Sequence, residues 1–214
     1  ASLALLNRPA VCQIALIDPK RRGLLPFAGM PHLLRPPIAS VGEAAQLLSA
    51  LVNEMERRDQ RGLEWPHMVV VIDELADLLM QGGADVETPL ARLVQRGRSA
   101  GMHVVAATQK PAASVVGSLI RSNFPLRVVG RVCSAQDALV AAGVAGSSAE
   151  RLLGRGDMLA ILGGQTQRFQ GAHISEGEMR DLARGGWRVG ASAGERGALC
   201  SRSGVVRAEA RPAV

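Results

Sequence analysis

The sequence predicts an α/β fold in which a mainly parallel sheet carries helices on both faces. Two short, unbroken apolar runs, at residues 14–17 and 68–72, are typical of strands buried on both faces. An amphipathic helix is predicted between them, from Glu43 to Arg61, because its apolar side chains recur at helical spacing and its last turn is basic. Strands that alternate with helices in this way form right-handed βαβ units, and such units build parallel sheets.

Four further elements are predicted in the middle of the chain. Residues 103–107 are expected to form a third strand and residues 126–132 a fourth, with a helix at residues 112–122 between them. Thr88 and Pro89 are typical of the N-cap and the first turn of a helix, so a helix is expected to begin there and to end near residue 101.

Local signals at the two ends of the chain predict a helix end, two helix starts and a hairpin. The opening residues resemble the last turns of a helix that is stopped by Pro9. The spacing of a capping box, in which a serine precedes a glutamate by three residues, occurs twice, at Ser147 with Glu150 and at Ser175 with Glu178. The stretch 158–174, interrupted by two glycines, favours a strand pair.

Length and composition favour one globular domain with a basic tail. The chain has 214 residues, of which 47% are hydrophobic and 21% are charged, so two independent catalytic domains are not expected. We predict one domain over residues 1–183. Residues 184–214 contain six arginines and six glycines among small side chains, and they are expected to be a disordered basic tail. No apolar run of membrane-spanning length and no signal peptide is apparent, so this segment is expected to make no membrane contact.

The charge balance favours a polyanionic partner such as nucleic acid. The formal net charge is +6, although the dominance of arginine over lysine in a chain rich in alanine and glycine is partly a compositional habit. Three phenylalanines and two tryptophans are too few for a base-stacking platform. Any contact to DNA is therefore expected to be made to the phosphate backbone.

Polar residues follow three of the predicted strands directly. Asp73 and Glu74 come after an apolar strand, which is the Walker B arrangement: the first carboxylate binds a nucleotide-associated Mg²⁺, directly or through water, and the second acts as general base. The alternative is a solvated acidic turn. Gln109 follows the next strand, where it either orients water or senses the γ-phosphate, or is only a turn residue. Asp18 and Lys20 follow the first strand, and from the residues alone a simple turn is favoured there.

Two other features concern phosphate chemistry. Arg92, Arg96 and Arg98 lie on one predicted helix, where a cation can stabilise phosphoryl-transfer charge across a subunit boundary, although arginines on a helix are more often solvated. The phosphate-binding loop G-x-x-x-x-G-K-[ST] is not found, because neither Lys20 nor Lys110 follows a glycine.

A series of motifs, in order and at matching spacing, resembles the motor domain of the FtsK/SpoIIIE DNA translocases. The resemblance covers about residues 5–183, and the motifs that carry it are LIDPK (16–20), MPHLL (30–34), VNEMERR (52–58), VVVIDELADL (69–78), LARLVQRGRSAGMH (90–103), ATQKP (107–111), GSLIRSNFPLR (117–127) and LLGRGDML (152–159). The opening helix resembles the one that follows the family's Walker A loop, so that loop and its strand are expected immediately before Ala1.

The resemblance implies a RecA-like P-loop NTPase core that assembles as a homo-oligomer, a hexameric ring around double-stranded DNA, and uses ATP and Mg²⁺ to pump it. It implies that Asp73 and Glu74 are the Walker B pair, that Gln109 is the sensor and that Arg98 acts in trans. Asp18 and Lys20 are expected on the nucleotide side.

The resemblance leaves several assignments open. Arg121 and Arg127 are further candidates for phosphate or subunit-boundary contacts. The resemblance also implies that the chain lies in the cytoplasm, either free or as the cytoplasmic part of a membrane-anchored protein. Two other functions remain: an inactive P-loop relative that only binds DNA or assembles rings, and a conjugation or secretion pump with the same core.

Overall fold

The computed structural model describes residues 1–109 and 122–185. The strands are β1 (Cys12–Ile17), β2 (His67–Ile72), β3 (Met102–Ala106), β4 (Leu126–Val129), β5 (Asp157–Leu162) and β6 (Gln165–Gln170). The helices are α1 (Ser2–Leu6), α2 (Val41–Arg61), α3 (Leu75–Arg96), α4 (Ala135–Ala142) and α5 (Glu176–Ala183).

A three-stranded parallel sheet in the order β1-β2-β3 forms the centre of the structure. Its strands are rich in β-branched and other apolar residues, which suit a sheet that is covered on both sides. The strands are in register, so that Ile17 lies beside Ile72 and Ile72 lies beside Ala106. Their carboxyl ends therefore meet at one edge of the sheet, which is the edge where parallel sheets bind ligands.

Helices cover both faces of this sheet, as predicted. On one face, α2 and α3 bury a core that includes Leu48, Met55, Leu78 and Leu90, all of which are fully buried. On the other face, α1, α5 and the 3-10 turn Leu25–Phe27 form a smaller apolar cluster against β1 and β2. Burial of apolar side chains on both faces supplies the main driving force for this part of the fold.

A second sheet is antiparallel, in the order β4-β5-β6. The predicted strand pair is confirmed as the hairpin β5-β6, whose turn residues Gly163 and Gly164 both have positive φ, a conformation that favours glycine. The fourth strand is shorter than expected: it ends at Val129 rather than at residue 132, and it pairs with β5. Leu126 lies beside Leu162 and Val129 lies beside Leu159, so this pairing is antiparallel and the strand does not join the parallel sheet.

The start that was predicted for a helix at Thr88 is wrong. The helix α3 runs from Leu75 to Arg96 and contains Pro89; its single break is at Gly83, where φ is 49° and ψ is −136°. Apolar side chains on both sides of Pro89 pack against α2, and this packing outweighs the local preference of a Thr-Pro pair for a helix start. The ending near residue 101 is confirmed, since Gly101 is the left-handed C-cap of the 3-10 turn Gly97–Ala100.

Of the two capping boxes, one is confirmed and one is wrong. Ser175 and Glu178 form both hydrogen bonds of the box at the start of α5. At Ser147, the short 3-10 turn that follows begins after Ser148, and the Ser147 hydroxyl is buried with no hydrogen-bond partner among the described residues. Because Ser148 and not Ser147 precedes the turn, Glu150 is its second residue, whereas the box requires the glutamate at the third position.

Some of the predictions lie outside the described residues. These are nearly all of the helix expected at 112–122, Arg121, and the basic tail from residue 186 onward. Within the part of the chain that the structure describes, no helix is long and apolar enough to cross a membrane.

Candidate functional site

The carboxyl edge of the parallel sheet gathers most of the predicted site residues. Asp18 follows β1, Asp73 and Glu74 follow β2, and Gln109 comes three residues after β3. The backbone pairing continues past the strand ends, since the Asp73 N–H donates to Ile17 O (2.9 Å). The parallel register thus places residues that follow three different strands, and that are 35 or more positions apart in sequence from one strand to the next, at one edge.

Asp18 is a buried carboxylate that is only half satisfied. Its residue is 2% exposed, and its Oδ2 accepts hydrogen bonds from the backbone N–H groups of Gly23 (3.1 Å) and Leu24 (2.9 Å). The other oxygen, Oδ1, is buried and has no hydrogen-bond partner among the described residues. A buried charge with an unused oxygen is costly unless a cation or a proton donor reaches it. Asp18 is therefore built into the site, and is more than a strand-ending turn.

Asp73 lies close to Asp18 in an acidic environment. A Cβ built on Gly23, whose N–H binds Asp18, would lie 3.1 Å from Asp73 Oδ2. Burial raises the pKa of Asp73, and the negative charges of Asp18 and Glu74 raise it further, while Lys20 acts in the opposite direction. Two carboxylates that repel each other, one of them with an unsatisfied oxygen, are a donor set that fits Mg²⁺.

The raised pKa of Asp73 predicts a stability gain when its charge is removed. The folded-state pKa lies above the unfolded one, so the ionised carboxylate destabilises the fold; the penalty is absent below about pH 4 and complete above the raised pKa. We expect Asp73→Asn to raise the Tm of the nucleotide-free protein at pH 7 and to change it little at low pH. Thermal unfolding across this range tests the sign, with Asp85→Asn, an exposed carboxylate, as control. A lower Tm for Asp73→Asn at neutral pH contradicts it.

Glu74 is held in a strained conformation beside Asp73. It adopts the left-handed backbone region, with φ of 58° and ψ of 66°, at the N-cap of α3. For a residue other than glycine this conformation costs on the order of 1–3 kcal/mol, and such strain clusters at functional sites. Its carboxylate is 4% exposed, and its Oε1 accepts hydrogen bonds from the Thr108 hydroxyl (2.6 Å) and from the Gln109 N–H (3.2 Å). The end of β3 thus orients Glu74.

Lys20 and Gln109 also lie at this edge, and their contacts to Asp77 and Glu74 were not predicted from the sequence. The Lys20 ammonium lies 2.9 Å from Asp77 Oδ2 and 3.5 Å from Glu74 Oε2, and the Asp77 hydrogen bond is the main reason why the pKa of Lys20 is raised. Gln109 touches Glu74 through its backbone N–H, while the residue itself is exposed.

Arg98 lies away from this edge of the sheet. It belongs to the 3-10 turn Gly97–Ala100, called here the Arg98 turn, which precedes β3 at the amino edge of the sheet. The five residues of β3 separate that edge from the carboxylates by about 17 Å. Arg98 is thus not brought together with Asp73 and Glu74 of its own chain.

The structure distinguishes among the three arginines of this region. Arg92 forms an ion pair with Glu56, and Arg96 forms one with Asp59 (3.1 Å), so both are bound to α2. Arg98 is exposed, and within residues 1–109 and 122–185 no carboxylate lies at ion-pair distance from it. Of these three guanidinium groups, that of Arg98 is available to a group outside its own chain.

Arg127, a further candidate, lies on β4. Its guanidinium lies against Gly143, where a Cβ would collide with it.

Three residues that support the site were not assigned roles from the sequence. Thr108 and Asp77 contact Glu74 and Lys20, respectively. Arg58 is buried at the end of α2 and donates a hydrogen bond to Ala100 O of the Arg98 turn. Thr108 is detectable as a hydroxyl at a strand end; the amphipathic pattern of α2 contains no signal for Arg58.

The parallel α/β fold, which here carries an acidic carboxyl edge, is shared with solved ATPase structures. The conjugation coupling protein TcpA of pCW3, in monomer form with ATPγS, matches 78% of this chain and 53% of its own with a TM-score of 0.65 and 24% identity. EssC (ATPases 2 and 3) from Geobacillus thermodenitrificans matches 86% of this chain and 38% of its own, with a TM-score of 0.69 and 18% identity. At these identities the likeness establishes the fold.

The chain belongs to the FtsK/SpoIIIE family. The family model matches residues 1–64 and 58–113, which is more than half of the chain. DNA translocase FtsK of Staphylococcus epidermidis is 37% identical over 209 residues, covering 85% of this chain. The chain spans 26% of the length of that relative. The resemblance inferred from the motifs is confirmed.

Proposed function

We propose that this chain is part of an ATP-driven motor that moves double-stranded DNA. The observation that carries the proposal is the strained, buried Glu74 carboxylate next to Asp73 at the carboxyl edge of a parallel sheet. Family membership and the name of the curated relative, DNA translocase, support the same function. The proposal requires a phosphate-binding loop in the complete protein, and the family pattern predicts it just N-terminal to Ala1.

In this proposal the carboxyl edge hydrolyses ATP. Glu74 accepts a proton from the attacking water, whose oxygen bonds to the γ-phosphorus as the bond to the ADP oxygen breaks. Asp73 would hold Mg²⁺, with Asp18 and its unsatisfied Oδ1 in the same acidic cluster, and the ion would supply positive charge that neutralises the phosphates. Gln109 orients the water, and Lys20 lies on the nucleotide side of Glu74.

Arg98 acts in trans in this proposal. Because it is at the amino edge of its own sheet, it contacts ATP only if a neighbouring subunit presents its carboxyl edge. That is a head-to-tail contact, which forms a closed ring when the rotation between neighbouring subunits closes. We therefore propose a homo-oligomeric ring, hexameric by family analogy, in the cytoplasm, where ATP and DNA meet.

DNA contact in this proposal is made to phosphates. The net charge of +6 and the scarcity of aromatic side chains favour backbone contacts over base readout. We expect double-stranded DNA to stimulate ATP turnover by the complete protein. We also expect DNA affinity to fall by about 10³ or more between 50 and 200 mM salt if six or more phosphates are contacted. ATP turnover and DNA binding measured across this range test both points, and turnover that ignores DNA contradicts the motor.

The first alternative function is an inactive P-loop relative that only binds DNA or assembles rings. Under this alternative, no G-x-x-x-x-G-K-[ST] sequence precedes Ala1. Reading that sequence discriminates between the two proposals. A motor with a different cargo is the other alternative, because TcpA is a conjugation coupling protein that shares the fold. The identity to the FtsK relative, 37% against 24% for TcpA, favours chromosomal DNA.

A further inference from the structure

Arg58 is a buried arginine at the end of α2. Its side chain is 3% exposed, and its Nε donates a hydrogen bond to Glu54 Oε1 (2.8 Å). Glu54 is also bound by the exposed Arg57, and the hydrogen bonds from Arg57 and Arg58 lower the pKa of Glu54 to about 2. Glu54 is therefore ionised at all physiological pH values, and its negative charge compensates the buried positive charge of Arg58.

The other contacts of Arg58 reach the amino edge of the parallel sheet. Its Nη1 donates to the carbonyl oxygens of Pro66 (2.8 Å) and Ala100 (3.0 Å). Pro66 directly precedes β2, and Ala100 is the last residue of the Arg98 turn. One planar guanidinium thus joins α2, the start of β2 and the Arg98 turn, a geometry that a lysine does not reproduce.

The Arg98 turn is also fixed on its remaining sides. A Cβ on Gly97 would lie 2.9 Å from Met102 O, and a Cβ on Gly101 would collide with the Glu64 carbonyl oxygen. On the exposed side, the Ser99 hydroxyl lies 3.2 Å from Asp59 Oδ1. The backbone that carries Arg98 is therefore tightly packed, while the Arg98 side chain is exposed.

We propose that Arg58 is a positioning residue that holds the Arg98 turn so that Arg98 reaches the nucleotide of the neighbouring subunit. This inference rests on the trans role of Arg98 in the proposed function. Fixing the backbone in advance matters because a charge that acts on a transition state must already be in place, and a misplacement of about 1 Å costs about 10²-fold in rate.

Arg58→Met in the complete protein is expected to lower kcat for ATP about 10²-fold, with KM changed less than about twofold. Arg57→Met is the matched control, because Arg57 binds the same Glu54 but is exposed and makes no hydrogen bond to the Arg98 turn. We expect Arg57→Met to keep parental turnover. The turnover of Arg58→Lys is expected to lie between those of Arg58→Met and the parent. Parental kcat in Arg58→Met, or a loss that appears only in KM, overturns the positioning role.

Mixed rings separate positioning from a general loss of structure. Arg58→Met subunits supply an intact Glu74, and Glu74→Gln subunits supply an intact Arg98 turn. An equimolar mixture of the two inactive variants is therefore expected to regain about a quarter of parental turnover, since half of the sites have the base and half of those have the arginine. If Arg58→Met subunits do not assemble, Arg58→Lys takes their place in the mixture.

A mixture of Arg98→Ala with Glu74→Gln is the reference. If the reference regains activity and the Arg58 mixture does not, the positioning role is overturned while the trans role stands. If the reference also fails, the trans role in the proposed function is wrong, and the positioning role falls with it.

Discussion

Glu74→Gln is expected to abolish ATP hydrolysis by the complete protein while nucleotide still binds. An amide does not accept the proton of the attacking water, and the loss of a general base lowers turnover by about 10²–10⁴. Glutamine has nearly the same shape and keeps an oxygen that accepts the hydrogen bonds of Thr108 and Gln109. The strained backbone at residue 74 is therefore expected to persist.

Two measurements decide this prediction: steady-state ATP turnover and the Kd for a fluorescent ATP analogue. Glu43→Gln is the matched control, because Glu43 is an exposed glutamate in the first turn of α2 and forms none of the ion pairs of the described residues. Equal turnover in Glu74→Gln and the parent removes Glu74 as general base. Loss of binding together with turnover assigns Glu74 to nucleotide binding instead.

Arg98→Ala is the second large effect. An arginine that stabilises phosphoryl-transfer charge across a boundary contributes about 10³–10⁵ in turnover, so a loss of that size is expected with little change in nucleotide affinity. The side chain is exposed and the Arg98 turn is fixed by its backbone, so folding is expected to be unaffected.

Arg96→Ala is the control for Arg98→Ala. Arg96 is two residues away on the same segment, and its exposed ion pair with Asp59 contributes about 1 kcal/mol at most. Its turnover is expected to stay within about twofold of the parent. Comparable losses in both variants indicate a general effect of positive charge at this edge, and parental turnover in Arg98→Ala excludes Arg98 from catalysis.

Secondary structure was predictable wherever periodicity and packing agreed. The apolar runs of β1 and β2 and the stripe of α2 point to the same core, and the structure contains all three. The helix start predicted at Thr88–Pro89 was wrong because the apolar face of α3 continues through these residues and packs on α2. The parallel register made it possible to anticipate the meeting of Asp18, Asp73 and Glu74, because carboxyl ends of parallel strands share an edge.

The supporting contacts of the site were not predictable in the same way. Three arginines on one segment look equivalent in sequence, yet two are bound by carboxylates of α2 that lie 36 and 37 positions away. Arg58 looks like one of several basic residues at a helix end, yet it is buried and donates hydrogen bonds to the carbonyl oxygens of Pro66 and Ala100.

Local patterns therefore determined the strands, the main helices and the acidic edge, because periodicity and strand direction are properties of the chain itself. Tertiary structure decided which charges form pairs and which oxygen of Asp18 has no partner. It also decided that Arg58 binds the backbone of the Arg98 turn. The ion pairs of Arg92 and Arg96 and the bond from Arg58 to Ala100 join groups 36 to 42 positions apart at about 3 Å or less, a distance that packing sets and local propensity does not.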